Sequence, residues 1–196
     1  MAGTYPTTPE FSSVGFSSEQ KTITTTTDSG KMFAVQVDGQ RFKFSASYPP
    51  MNRSEFAPVY AFIMKQRSQK ETFQIALPDL KNAKGSISGT VLVNGSHSAG
   101  DTTIDVDGMT GEIKAGDFVK FAGDTKVYMV VEDATGDVSD TATLTIEPPL
   151  RVDVLSGDTI FYDNVAFTVR LTNDVQEFNT GDLDLYRFEV DFIEAL

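Results

Sequence analysis

The chain has 196 residues, of which 40% are hydrophobic, with a net charge of −12 and no cysteine. The absence of cysteine excludes disulfides, thiolate metal ligands and a cysteine nucleophile, and no apolar run reaches the ~20 residues of a membrane helix. The net charge is +3 over residues 1–89, −9 over 90–162 and −6 over 163–196. Because no region is strongly basic, this balance argues against a protein that grips duplex nucleic acid.

The first predicted elements are strands. The threonine run at 22–27 can form a strand, an arm or a loop. After it, apolar and polar residues alternate over 33–37 and again over 42–48, and Asp38-Gly39 between them has the chemistry of a tight turn. Alternation on both sides of such a dipeptide predicts a β-hairpin that turns at Asp38-Gly39.

One helix is predicted, over residues 55–67. Its apolar residues recur at helical spacing on one face and are Phe56, Val59, Tyr60 and Ile63. Ser54 is a suitable N-cap residue. Pro58 falls in the first turn, where its missing N–H group costs little.

The composition changes near residue 90. The segment 81–89 is small and polar, which favours a flexible boundary between domains. From Thr90 onward, short apolar runs alternate with glycine and aspartate turns at close, regular spacing. This pattern is typical of a small β-barrel or β-sandwich.

Two longer alternating runs, 164–171 and 185–193, follow that region. A period of two is typical of strands with one face on a core, and the nearest matching strands lie before residue 49. We therefore predict one discontinuous domain, 1–88 with 163–196, which includes the helix. A small β-domain over 89–162 is inserted into it.

Residues that could support catalysis are few. The only histidine, His97, lies in a Ser/Gly-rich turn, where an exposed loop histidine is the default interpretation. Most carboxylates adjoin glycines in turns, where aspartate bonds to its own backbone. The run from Asp105 to Gly108 is similar to the start of a calcium loop, but its twelfth position is Gly116 instead of glutamate. We predict no enzyme activity, no catalytic residue, no metal site and no cofactor.

Four segments resemble structural proteins of tailed bacteriophages; they are Phe44–Tyr60, Gly116–Val131, Thr143–Arg151 and Val165–Ile193. They are most similar to small ring-forming proteins of the distal tail or baseplate. The resemblance implies a mostly β fold, in which a β-sandwich of tail-tube type is flanked by one α-helix. It also implies hexameric rings around the tail axis.

The function implied by this resemblance is that of a structural component of the phage virion, made in the host cytoplasm. Its partners would be further copies of itself in a hexameric ring and neighbouring tail or baseplate proteins. DNA would at most pass through the lumen without specific binding, and no membrane is expected to be involved. Candidate residues for subunit contacts are Thr24, Thr26, Asp38, Gly39, Arg187 and Glu189.

Two alternatives and several details stay open. The inserted domain could be a binding module for a host glycan or a receptor-binding protein. A tail-associated hydrolase would depend on particular carboxylates or on His97. The sequence leaves open which tail ring the chain forms, whether tube, distal tail or hub, and which face lines the lumen.

Overall fold

The computed structural model describes residues 3–180 and 185–196. Those residues contain one α-helix, α1 (Arg53–Lys65). In chain order, the strands are β1 (Ser13–Glu19), β2 (Thr22–Thr26), β3 (Met32–Gln36), β4 (Arg41–Ser47), β5 (Phe73–Ile75), β6 (Leu92–Val93), β7 (Thr103–Asp107), β8 (Glu112–Ile113), β9 (Phe118–Phe121), β10 (Val127–Val130), β11 (Ala134–Thr135), β12 (Ala142–Glu147), β13 (Ile160–Phe161), β14 (Phe167–Leu171), β15 (Phe178–Thr180) and β16 (Tyr186–Glu194). No helix in these two ranges is both long and apolar enough to cross a membrane.

Contacts among the described residues divide the chain into two compact units. The first comprises residues up to Phe73 together with Val169–Ala195, so it is built from both ends of the chain. The second comprises Gln74–Thr168 and Leu196. Each unit has its own buried apolar residues, as expected for a chain long enough to build two small cores.

Strand β16 lies in the middle of the first sheet, whose order is β1-β4-β16-β14-β5. It pairs antiparallel with β4 on one side, and with β14 and then β15 on the other. Phe188, Val190 and Phe192 are buried, and the residues between them are exposed. The alternation along the C-terminal run therefore arises because β16 separates a core from solvent.

The inward face of this sheet is covered by α1 and by the N-terminal segment. Helix α1 buries Phe56, Val59 and Ile63. Tyr5 packs edge-on against Phe192, with ring centroids 5.4 Å apart, and Tyr48 Oη donates a hydrogen bond to Tyr5 Oη at 3.1 Å. Burial raises the pKa of Tyr48 to about 12, so both hydroxyls are neutral near pH 7.

The predicted hairpin at Asp38-Gly39 is wrong. Strand β3 pairs with the preceding β2, and β4 pairs with β1, so the chain reverses direction at residues 27–31. Between the β1–β4 pairing and the β2–β3 pairing, four residues on one side, 37–40, lie opposite only two on the other, 20–21. Asp38-Gly39 therefore forms a bulge, and Gly39 supplies its positive φ of 104° there instead of in a turn.

Helix α1 begins earlier than predicted, because Asn52 and not Ser54 is the N-cap. Asn52 Oδ1 accepts hydrogen bonds from Ser54 N and Glu55 N, at 2.9 and 3.1 Å. Glu55 Oε2 accepts one from Asn52 N at 3.0 Å, which completes a capping box. The helix ends at Lys65, shortly before Arg67 and Ser68 adopt positive φ values of 53° and 62°.

The second unit contains a near-closed barrel. Its sheet has the order β13-β9-β10-β12-β7-β6, and a bridge between Leu92 and Thr159 joins the two ends. A hydrogen bond of 2.9 Å from Ile160 N to Val91 O supports the closure. The interior is apolar, as in small barrels that side chains fill. The fold class predicted from sequence, mostly β with one helix and a small barrel, is confirmed.

The segment 81–89 lies within the second unit and packs against its core. Ala83 and Ile87 contact its core, and Lys84 N donates a hydrogen bond to Asp117 Oδ1 at 2.9 Å. A Cβ atom at Gly85 would lie 1.9 Å from the carbonyl oxygen of Glu112, so this glycine allows close backbone approach. The flexibility expected from composition is therefore replaced by specific contacts.

Candidate assembly surface

The first unit carries a fully exposed two-stranded ribbon, which we call the arm. It consists of β2, β3 and the turn between them, residues 22–36, and every one of its residues is exposed. The turn is closed by hydrogen bonds from Thr27 N to Lys31 O and from Gly30 N to Thr27 O. An isolated two-stranded ribbon is at best marginally stable in water, so such an element is suited to docking on a partner.

The two faces of the arm differ in character. Ile23 pairs with Val35, and Thr25 pairs with Phe33, and directly paired residues share a face. The exposed fractions are 55% for Ile23, 50% for Phe33 and 65% for Val35. This is the apolar face of the arm, and Lys31 Nζ lies over its Phe33 ring, 5.0 Å from the centroid.

Four of the predicted contact residues lie on or beside the arm. Thr24 and Thr26 occupy its other face, opposite Ala34 and Met32. Asp38 and Gly39 lie in the bulge at its base. The apolar face is not apparent from the sequence, because the alternation over 33–37 predicts a hairpin packed on the core.

The other two predicted residues, Arg187 and Glu189, lie on the outer face of β16. There they line an open recess of about 670 Å³ together with the loop 173–177. The loop arises because β14 and β15 both pair with the same side of β16, and the residues between them bulge outward. We refer to this feature as the recess.

The recess is acidic. The described residues that line it include one arginine, Arg187, and four carboxylates, which are Asp174, Glu177, Glu189 and Asp191. Ser68 Oγ donates a hydrogen bond to Asp174 Oδ1 at 2.7 Å, and Ser47 Oγ donates one to Glu189 Oε1 at 3.3 Å. Among the described residues, no ion pair involves any of these four carboxylates. The negative charge of 163–196 was the sequence signal for this site.

The edge of the first sheet offers another surface. Strand β1 lies at one end of the strand order and pairs with β4, and no other strand in the described part of the chain covers its other side. Its outward residues are small, with Gly15 and Ser17 exposed. Open edges of this kind are a liability unless another chain completes them.

The second unit contains a buried polar cluster around Asp124. Its carboxylate accepts hydrogen bonds from Tyr128 Oη at 2.7 Å and from the Arg151 guanidinium, and Tyr128 Oη accepts one from Arg151 N at 3.0 Å. Burial alone would raise the pKa of Asp124, but these hydrogen bonds and one from Lys126 N lower it overall. Every member has a partner within the unit, so the cluster is suited to holding β10 and the chain near Arg151 together.

The histidine considered in the sequence analysis also has partners. His97 Nε2 accepts a hydrogen bond from Asp105 N at 3.2 Å, and the side chain is only 14% exposed. The expectation of an exposed loop histidine is therefore wrong, because His97 ties its turn to β7. In residues 3–180 and 185–196, no group of three or more potential ligands is placed to hold a metal ion.

The chain is similar in sequence to proteins of phage tails. Residues 80–165, which include the barrel strands, match a family model described as distal tail protein pb9, B domain. Over 176 residues, the chain is 22% identical to distal tail protein pb9 of Escherichia phage T5, with 85% of this chain and 84% of that protein covered. The resemblance to phage tail proteins is confirmed. It extends beyond the barrel and includes most of the first unit.

Proposed function

We propose that this chain is a structural protein of a bacteriophage tail that assembles into a ring through its first unit. The similarity to distal tail protein pb9 over 85% of the chain supports the location in the virion. The observation that carries the assembly role is the arm, whose apolar face is exposed in the single chain. The resemblance implies a hexameric ring, and in such a closed ring the apolar face of the arm would be covered in every copy.

We further propose that residues 1–88 and 163–196 form one discontinuous domain into which 89–162 is inserted. Under this proposal, the ring contacts include the open edge of β1, the arm, and the predicted contact residues Arg187 and Glu189. Neighbouring tail proteins would bind the faces of the ring. The protein would act by assembly and not by catalysis.

The proposal is tested by removing the arm. In the variant, a two-residue Asn-Gly turn replaces residues 22–36, and it is compared with the intact chain by mass photometry and negative-stain imaging over a concentration series. The intact chain is expected to form closed rings. The variant is expected to keep a cooperative thermal unfolding transition but to remain monomeric, because every deleted residue is exposed.

A matched control changes an equally exposed site that belongs to the other unit. Val138→Ser removes an apolar side chain that is fully exposed, and this variant should form rings as the intact chain does. If the intact chain stays monomeric at high concentration, the proposal that it assembles into a ring by itself is wrong. If the variant without the arm still forms rings, assembly does not depend on the arm.

A further inference from the structure

We infer that the arm of one copy docks in the acidic recess of the next copy. This inference rests on the proposed assembly and adds to it the partner surface for the arm. The arm bears four of the eleven exposed large hydrophobic side chains among the described residues: Ile23, Met32, Phe33 and Val35. Within the described ranges these four side chains are not buried by the rest of the chain, because all of 22–36 is exposed.

Charge complementarity selects the recess as the site. Residues 20–36 carry Lys21 and Lys31 against one acid, Asp28. The recess carries four carboxylates and one arginine, and the carboxylates have no ion-pair partner among the described residues. A lysine entering from a second copy would supply the missing opposite charge.

The recess also offers apolar contact for the arm. Val175 projects from the loop 173–177 and is 68% exposed. Lys31 lies beside Phe33 on the apolar face, so one approach brings a cation and an aromatic ring to the recess together. The remainder of the apolar face can then pack over Val175.

The occupant is a second copy because every chain carries one arm and one recess. Two different surfaces that fit each other make a head-to-tail contact, and such contacts close into a ring when the rotation between copies allows it. In a closed ring, each arm has one recess and none is left over.

The absence of cysteine allows the contact to be tested by crosslinking. Val35→Cys on the arm and Val175→Cys in the recess are prepared as separate full-length variants, mixed, and oxidised mildly. Mixed disulfide dimers are expected. A second mixture, of Val35→Cys with Val138→Cys, is the control, since Val138 is at least as exposed but lies in the second unit.

A charge reversal gives an independent readout on the same mixture. Lys31→Glu on the arm chain should lower the crosslink yield about tenfold, because it places like charges together. Adding Glu177→Lys to the recess chain should restore the yield. Lys70→Glu, an exposed charge reversal outside the arm and recess, should leave it unchanged.

Ring formation by the unmodified chain, measured by mass photometry, separates this inference from the proposed function. Rings with a crosslink yield no greater than that of the Val138 control would overturn arm docking in the recess and leave the assembly role intact. Homodimers of Val35→Cys alone, in place of mixed dimers, would show that arms pair with each other and would also overturn it. Absence of any oligomer would refute both proposals.

Discussion

At the scale of single residues, Asp124 shows how the second unit uses a buried charge. Its side chain is 2% exposed, and its carboxylate is the acceptor for Tyr128, Arg151 and Lys126 N. A buried carboxylate is tolerated only when such donors replace water. The cluster therefore contributes stability through complete pairing, and removing its centre leaves several donors unsatisfied.

We expect Asp124→Asn to lower the free energy of unfolding by about 2–3 kcal/mol near pH 6, because the charge-assisted hydrogen bonds are lost. The pKa of Asp124 is lowered in the folded state, so its contribution is present above the unfolded pKa of about 3.9 and is lost as the pH falls through the folded pKa. Urea denaturation of both proteins from pH 6 down to pH 2.5 measures this.

The difference between the intact chain and Asp124→Asn should therefore shrink as the pH falls below about 4. Glu147→Gln is a suitable control, because Glu147 is exposed in the neighbouring strand β12. It should change the unfolding free energy by less than about 0.5 kcal/mol at every pH. A difference for Asp124→Asn that stays constant with pH would show that its charge does not stabilise the fold.

At the scale of elements, the capping box determines where α1 begins. Asn52→Ala is expected to cost about 1 kcal/mol, because Ser54 N and Glu55 N lose their acceptor. Ser54→Ala should cost less, since its hydroxyl only donates to Asn52 Oδ1. Thermal unfolding of both variants measures the difference, and a larger cost for Ser54→Ala would place the N-cap where the sequence first indicated it.

The elements also show how far the sequence could predict the structure. The period of two at 164–171 and 185–193 correctly indicated β14 and β16. Strand β16 has one buried face as expected, whereas β14 is covered on both faces, with Thr168 buried and Arg170 half-buried. Asp38-Gly39 was misleading, because a dipeptide that adopts positive φ serves a bulge as well as a turn. The negative charge of the recess was visible in the sequence, but its shape could not be predicted. The shape depends on how β14 and β15 are offset along β16, and this offset has no local sequence signature.

At the scale of the whole molecule, the two segments that flank the barrel lie side by side within the second unit. Val165 N donates a hydrogen bond to Lys81 O at 2.8 Å, and Ala83 N donates one to Tyr162 O at 3.1 Å. An insertion with adjacent ends can be added to a domain or removed from it without moving the flanking chain.

We therefore predict that replacing residues 82–164 with a short Gly-Asn linker leaves a protein that still folds. Because each unit has its own buried core, calorimetry of the intact chain should show two unfolding transitions, and the shortened chain should keep one of them. The separate fragment 74–168 should reproduce the other. If the ring contacts lie in the first unit, light scattering should detect oligomers of the shortened chain. A shortened chain that unfolds cooperatively but stays monomeric would place essential ring contacts in the barrel.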